Sequence, residues 1–137
     1  MTTLREAVAL FLEAKRLQQQ NNTQKETKKM DEKQYMGEIK RTMNYEIDLD
    51  QRLSMLALGL AGEVGEIVDH IKKAVYHGHE IDHVELGKEF GDVMWYLYNL
   101  MDDLGVDPDI VRFLNVEKLR RRYPEGFSEE ASQNREE

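Results

Sequence analysis

The sequence predicts an all-α protein, and three observations support this fold class. Apolar residues recur at steps of three and four along most of the chain, which is the period of an amphipathic helix. The alternating apolar pattern of a half-buried strand does not occur in the sequence. Only two prolines interrupt the 137 residues, and both stand where helices are expected to begin or end. A chain of this length forms one domain, which the periodicity divides into four or five helices.

The N-terminal part of the chain predicts one helix and a polar connector. The helix covers residues 4–18, whose apolar side chains share one face. The connector runs to about residue 32, and its composition is compatible with either a loop or a solvated extension of the helix. A second, short helix over residues 35–45 is expected to turn Ile39 and Met43 inward.

Two long helices are expected in the middle of the sequence. The first runs from about residue 51 to 75, with Asp48 or Asp50 as its cap and Gly78 beyond its end, and the second from about 84 to 104. Each carries an apolar stripe, which predicts that the two helices pack antiparallel around a short connection. The stripe residues are Leu53, Leu56, Leu60, Val64, Ile67, Ile71 and Ala74 in the first helix and Leu86, Phe90, Val93, Leu97, Leu100 and Leu104 in the second.

The last helix is bounded by residues with clear preferences for helix ends. Gly105 closes the preceding helix, and Asp107 followed by Pro108 indicates a cap with proline in the first turn. The helix is expected to stop before Pro124. Residues 128–137 are polar and rich in glutamate, so we expect an acidic, disordered tail.

Two acidic pairs, Glu63-x-x-Glu66 and Glu89-x-x-Asp92, lie within the two long helices. The spacing places both carboxylates of each pair on one helix face. Both pairs have similar angular offsets from their apolar stripes, so antiparallel packing brings all four acids to one flank of the seam. Carboxylates this close repel one another unless a cation neutralises them, and hard oxygen ligands favour Mg²⁺ or Mn²⁺. The spacing therefore predicts a metal site, and the alternative is a solvated helix face in a chain with 34% charged residues.

Glycines surround these acids within both helices, although each glycine destabilises a helix relative to alanine by about 0.5–1 kcal/mol. They either leave room for a metal and a phosphate chain or allow tight helix packing, and the sequence does not choose between these. The glycines are Gly59, Gly62, Gly65, Gly87 and Gly91.

Composition excludes several other classes of function. A net charge of −8 argues against nucleic-acid binding, and the absence of cysteine excludes thiolate metal sites and cysteine nucleophiles. No apolar run approaches the length of a membrane span and no leader pattern is present, so a cytoplasmic protein without membrane contact is expected. His77-x-His79 could bind zinc, but loop histidines at the surface are the preferred interpretation, and His70 is a candidate neighbour of the acids.

The acidic pairs and the segments around them resemble the signature of the MazG-like all-α nucleoside triphosphate pyrophosphohydrolases. The match covers roughly residues 33–127 and leaves the helix and connector of residues 1–32 outside it. The segments that carry the resemblance are YMGEIKRTM (35–43), LGLAGEVGEIVDHIKK (58–73), ELGKEFGDVMWYLYNLMDDLGVD (85–107) and NVEKLRRRYPEGF (115–127).

The resemblance implies hydrolysis of a ribo- or deoxynucleoside triphosphate to the monophosphate and pyrophosphate, with Mg²⁺ as cofactor. It implies that the four acids Glu63, Glu66, Glu89 and Asp92 bind the metal and form the catalytic site. It also implies a homodimer or a dimer of dimers with active sites near the subunit contacts. The sequence departs from the family pattern at Lys88. If the second pair of the motif were aligned four residues earlier, it would be Glu85-x-x-Lys88, and a lysine cannot bind a metal with its partner.

Five residues are candidates for contacts with the substrate. Helical spacing places Lys73 and Asn99 on the flank of the acids, together with Tyr96, whereas Trp95 points away from it. The resemblance adds Lys118, Arg121 and Tyr123, for which a solvated basic face or a subunit contact is the alternative. The full set is Lys73, Asn99, Lys118, Arg121 and Tyr123.

Two rival functions remain open from the sequence. One is a non-catalytic helical binding module, which would have no need of four convergent acids. The other is a relative restricted to one nucleotide, such as dUTP or phosphoribosyl-ATP. The preferred base cannot be inferred from residue spacing.

Overall fold

A computed structural model describes residues 30–134 together with residues 9, 12 and 13. Over these residues the chain contains helices and no strand, which confirms the all-α prediction. The helix predicted for residues 4–18 and most of the connector lie outside the described residues, although the described residues 9, 12 and 13 have helical backbone. The helices of the range 30–134 are α1 (Glu32–Arg41), α2 (Leu49–His77), α3 (His83–Asp103), α4 (Pro108–Arg122) and α5 (Glu129–Gln133).

The N-termini of α1 to α4 are capped by aspartate side chains. At α2 the cap is Asp48, whose carboxylate accepts from the Gln51 N–H at 2.8 Å while the Gln51 side chain accepts from the Asp48 N–H at 3.3 Å. This reciprocal pair satisfies two backbone donors that the helix leaves free. It also explains why α2 begins at Leu49, slightly before the predicted start. Asp107 caps α4 and Pro108 follows in its first turn, as predicted.

Glycines mark the ends of both long helices. Gly78 follows α2 with a φ of 71°, and Gly105 follows α3 with a φ of 67°. Both angles lie in the left-handed region, which glycine adopts without a steric penalty. The predicted ends of these helices are therefore confirmed, and α4 ends at Arg122, before Pro124.

The centre of the fold is an antiparallel pair formed by α2 and α3, with α1 packed against α3. Leu56 of α2 is completely buried in it, and Leu86 of α3 is also buried. Ile39 and Met43 are buried as well, which confirms their predicted inward orientation. At one end the Arg52 guanidinium donates to both carboxylate oxygens of Asp103 at 3.0 Å, joining the start of α2 to the end of α3.

The predicted apolar stripes are only partly buried in one copy of the chain. Val64, Phe90 and Leu104 were expected in the core, yet they are 44%, 51% and 56% exposed. The reason is that each stripe is longer than the surface that its neighbours cover, since α1 packs only on part of α3. On α4, where no residue is buried, Phe113 and Leu114 are also exposed.

The C-terminal tail differs from its prediction. Disorder was expected over residues 128–137, but α5 forms one helical turn there. The Ser128 hydroxyl accepts from the Ala131 N–H at 3.1 Å, and this cap stabilises the short helix.

Candidate metal centre

Three of the four predicted acids meet where α2 and α3 face each other. Glu63 of α2 and Glu89 and Asp92 of α3 each offer a carboxylate oxygen, and these oxygens lie within 4.8 Å of one another. Glu63 and Glu89 are half-buried, and Asp92 is exposed. The i, i+3 spacing of Glu89 and Asp92 directs both toward α2, where Glu63 completes the group. We refer to these three residues as the acid cluster.

The electrostatics of the acid cluster favour a bound cation. Burial first, and then the charges of Asp92 and Glu89, raise the pKa of the Glu63 carboxyl above its ordinary value. A hydrogen bond between the Glu63 and Glu89 side chains acts in the same direction. A divalent cation would replace the proton that otherwise relieves this repulsion. Three convergent carboxylates therefore fit a hard ion such as Mg²⁺ or Mn²⁺.

Glu66, the fourth predicted ligand, does not belong to the acid cluster. It lies one turn after Glu63 on α2 and is exposed. Its charge still contributes to the raised pKa of Glu63, so it lies close to the acid cluster.

Lys73, a predicted substrate contact, is paired within α2. Its Nζ lies 2.5 Å from Asp69, and Lys72 pairs with the same carboxylate. Hydrogen bonds from Lys72 and Lys73 lower the pKa of Asp69 to about 2. The charge of Glu66 is a smaller cause of the raised pKa of Lys73, which follows mainly from Asp69. Lys73 therefore lies near Glu66, but an acid already holds it.

Two other polar contacts define the edges of the site. Lys88 Nζ lies 2.6 Å from a Glu85 carboxylate oxygen, so these two residues form an exposed ion pair outside the acid cluster. His70 Nε2 lies 3.9 Å from the Glu89 carboxylate, which places this histidine beside the acids as expected.

The glycines near the acids have two different surroundings. A Cβ added at Gly59 would lie 2.1 Å from Cε1 of Tyr96, so Gly59 allows the tyrosine ring to pack against α2. At Gly62 and Gly65, by contrast, such a Cβ would meet no atom of the described residues within 4 Å, apart from the glycine's chain neighbours and the nearby backbone of α2. Tight packing therefore explains Gly59, whereas Gly62 and Gly65 leave open surface on either side of Glu63.

Asn99 is not placed at the surface as a substrate contact would require. It is only 3% exposed, and its side-chain amide donates to the Trp95 carbonyl at 2.9 Å. The helical spacing placed Asn99 on the same flank of α3 as the acids. It could not show that α1 packs over this part of the helix. Trp95 is half-buried, and its indole N–H donates to Thr42 at 2.7 Å.

The candidate residues of α4 are separate from the acid cluster. Within the described residues no hydrogen bond or ion pair joins Lys118 or Arg121 to Glu63, Glu89 or Asp92, and both cations are exposed. The Tyr123 ring packs against the Phe127 ring, with ring centroids 5.8 Å apart.

One residue on which the charge of the acid cluster acts was not among the candidates predicted from the sequence. Tyr35 of α1 contacts Tyr98 of α3, and the charge of Asp92 is one cause of its raised pKa, after burial and Tyr98. A signal was present in the sequence, because Tyr35 and Ile39 are four residues apart and share one side of α1.

Comparison with known proteins identifies the family. A model of the MazG nucleotide pyrophosphohydrolase domain matches residues 51–127. The "Gene 37 protein" of Mycobacterium phage L5 is 34% identical over 92 residues, which are 64% of this chain and 81% of that protein. No solved structure matches the chain. The chain belongs to the MazG nucleotide pyrophosphohydrolase domain family, since the match includes both long helices and the acid cluster.

None of the described helices combines the length and the apolar character that crossing a bilayer would need.

Proposed function

We propose that this protein hydrolyses nucleoside triphosphates, ribo or deoxy, to the monophosphate and pyrophosphate with Mg²⁺ as cofactor. The observation that carries the proposal is the acid cluster, in which α2 and α3 bring three carboxylates within 4.8 Å on one flank of their seam. Membership of the MazG nucleotide pyrophosphohydrolase domain family supports the same reaction. A non-catalytic binding module would gain nothing from this arrangement, because the repulsion among the acids costs stability.

The reaction joins a water oxygen to the α-phosphorus and breaks the bond to the oxygen that bridges the α- and β-phosphates. Pyrophosphate leaves with that oxygen, and the water loses one proton. Mg²⁺, held by Glu63, Glu89 and Asp92, would offset the negative charge of the triphosphate. The family's ligand set includes Glu66, but its position outside the acid cluster suits it to orient the water and accept its proton at a carboxylate oxygen.

A cation is needed to neutralise the leaving pyrophosphate. Lys73 is the candidate on the same helix, since it lies near Glu66. Lys118 and Arg121 are further candidates, and they would serve if α4 of a partner protomer reaches the acid cluster. Tyr123 stands beside them at the end of α4 and is a candidate for the same contact.

We also propose that the protein is a homo-oligomer, at least a dimer. Large apolar side chains of α4 remain open in one copy of the chain, with Phe113 62% and Leu114 59% exposed. Burying such side chains is favourable by about 1.5–3 kcal/mol each, and a symmetric copy provides a matching surface. Sedimentation equilibrium should show a dimer or larger, and Phe113→Asp should shift it toward monomer. A monomeric wild-type protein would contradict this part of the proposal.

The direct test of function is a panel of ribo- and deoxynucleoside triphosphates incubated with the purified protein and Mg²⁺. Ion-exchange chromatography then separates the nucleoside monophosphate, diphosphate and triphosphate. We expect monophosphate to accumulate, with no turnover after chelation by EDTA or in Asp92→Ala. The matched control is Glu85→Gln, which removes an exposed acid of the same helix that pairs with Lys88 outside the acid cluster.

The same panel separates the rival functions. Turnover of several bases supports the proposed general activity, and turnover of dUTP alone supports a relative with a single substrate. If no triphosphate is hydrolysed with Mg²⁺ or Mn²⁺, the assignment as an enzyme on these substrates is wrong.

A further inference from the structure

The two long helices share a second apolar surface, on the flank of their seam opposite the acid cluster. On α2 its residues step by four and three from the position after Glu63, and on α3 they do so from the position after Glu89. One residue turns a helix by about 100°, so both stripes lie on the other side of the seam from the acids. We call this surface the open face, which consists of Val64, Val68, Ile71 and Val75 of α2 and Phe90, Met94 and Leu97 of α3.

The open face is not covered by the described helices. Val68 and Phe90 are 60% and 51% exposed, and the other five residues are each at least 37% exposed. Covering these side chains removes apolar surface from water, which is favourable. A contiguous apolar surface of this kind marks an interaction site, so the question is what covers it.

The sequence contains a segment of matching shape. Its spacing predicts a helix over residues 4–18 whose apolar stripe is centred on Leu4, Val8 and Phe11. This segment lies outside the described residues apart from residues 9, 12 and 13. A helix of that length extends over about 22 Å, and the open face runs over about 17 Å of α2. The predicted helix is therefore long enough to cover the open face.

The connection to α1 allows the segment to reach this surface. The Tyr98 ring contacts Tyr35 of α1, and Met94 of the open face lies one turn before Tyr98 on α3. The open face is therefore next to α1, into which the N-terminal segment leads. Residues 19–29 join the predicted helix to the described chain, and eleven residues extend at most about 36 Å.

Net charge favours this segment over a second copy of the chain. Residues 1–29 contain six Lys or Arg and three Asp or Glu, whereas residues 30–137 contain 13 and 24, so the net charges are +3 and −11. Opposite net charges attract at long range, while two acidic surfaces repel each other. The family model begins at residue 51, so the N-terminal segment is an addition to the matched domain.

We propose that the predicted helix over residues 4–18 packs with its apolar stripe on the open face of its own chain. The open face lies opposite the acid cluster and does not include α4, where the contact between protomers is proposed. The inference therefore depends neither on the catalytic activity nor on the oligomeric state.

Photo-cross-linking identifies what covers the open face. Met94 is replaced by p-benzoylphenylalanine in the full-length chain, and mass spectrometry after irradiation identifies the peptide that it has joined. We expect a link to residues 4–18 in a product with the mass of one chain. A product with the mass of two chains, or a product without a link to residues 4–18, overturns the inference.

Hydrogen exchange measured by mass spectrometry tests the same contact from both sides. In Val68→Asp the amides of residues 4–18 should exchange about 10- to 100-fold faster than in the wild type, the factor for losing one buried apolar side chain. Phe11→Asp should have the same effect without altering α2, so it keeps the test valid if circular dichroism shows that Val68→Asp does not fold. Unchanged exchange in Phe11→Asp overturns the inference.

Two matched controls change exposed side chains outside the proposed contact. Tyr76 of α2 is 78% exposed and does not belong to the open face, and Leu12 is 59% exposed and does not belong to the predicted stripe. Tyr76→Asp and Leu12→Asp should leave the exchange of residues 4–18 unchanged, and acceleration equal to that in Val68→Asp would contradict a specific contact. Sedimentation of Val68→Asp should give the wild-type mass, because a shift to monomer would assign the open face to a second copy.

Discussion

Replacing Gly59 with alanine tests how closely α2 and α3 approach beside the acid cluster. The added Cβ would lie 2.1, 2.4 and 2.6 Å from three ring atoms of Tyr96, much closer than carbon atoms can approach. The ring packs edge to face on Trp95, with ring centroids 4.9 Å apart, and the Trp95 indole is hydrogen-bonded to Thr42. Moving the ring to relieve the clash therefore disturbs contacts of both α3 and α1.

The magnitude follows from two opposing terms. Overpacking costs about 1–3 kcal/mol, while alanine improves helix propensity over glycine by about 0.5–1 kcal/mol. The net loss for Gly59→Ala is then between about 0 and 2.5 kcal/mol, or up to about 10 °C in Tm for a domain of this size. Gly62→Ala on the same helix meets no atom within 4 Å and keeps only the favourable term, so its Tm should rise by about 2–4 °C.

The assay is thermal unfolding followed by circular dichroism, with urea unfolding of the same three proteins to give free energies. Since both variants gain the same helix propensity, the difference between them isolates the steric term. A Tyr96→Ala background should abolish that difference, because the ring is then absent. If Gly59→Ala is stabilised as much as Gly62→Ala, the ring does not pack against α2 and the geometry beside the acid cluster is wrong.

Three further predictions concern charged side chains, two of them acids at the site and the third the ion pairs that join the helices. Burial and the neighbouring acids raise the folded-state pKa of Glu63, so its contribution to stability is present at low pH and is lost as pH rises through that pKa. Glu63→Gln should therefore unfold at a higher temperature than metal-free wild type at about pH 8 but not at about pH 4. The variant should also be inactive and lose the stabilisation by Mg²⁺, and an unchanged Mg²⁺ effect would exclude Glu63 as a ligand. Glu66→Gln should lower kcat strongly while Mg²⁺ still raises Tm, measured by turnover and thermal shift in parallel; loss of both effects would instead make Glu66 a ligand. Arg52→Ala should lower Tm more than Lys40→Ala, because the Arg52–Asp103 pair is the more buried one. Its side chains are 16% and 10% exposed, whereas those of Lys40 and Asp102 are 44% and 34% exposed. Equal changes of Tm in calorimetry would contradict this ranking.

Much of the fold could be predicted because its determinants are local. Helical periodicity located α2 and α3, Gly78 and Gly105 marked their ends, and the sequence of Asp107 and Pro108 marked the start of α4. Each signal acts within one or two turns of the residue that carries it, so no tertiary information was needed. The exception is α5, where the Ser128 cap is sufficient for a turn of helix in a segment whose composition suggested disorder.

The acid cluster could be predicted in part for a similar reason. The angular offsets brought Glu63, Glu89 and Asp92 to one flank, where their carboxylates meet, whereas the ligand role of Glu66, one turn further along α2, stays a prediction. Helical spacing could not show that α1 would bury Asn99, since that depends on packing between distant segments. The exposure of Phe90 could not be predicted for the same reason. A periodic pattern shows which helix face is apolar, but not which neighbouring surface covers that face.

The most direct test of the central claim is ³¹P NMR of a deoxynucleoside triphosphate with the protein and Mg²⁺ in ¹⁸O-labelled water. Wild type should produce pyrophosphate and a monophosphate that carries the label, and Glu89→Gln should leave the triphosphate intact. Both results would show attack at the α-phosphorus that depends on the acid cluster. Orthophosphate with a nucleoside diphosphate, or undiminished turnover in Glu89→Gln, would contradict the proposed function.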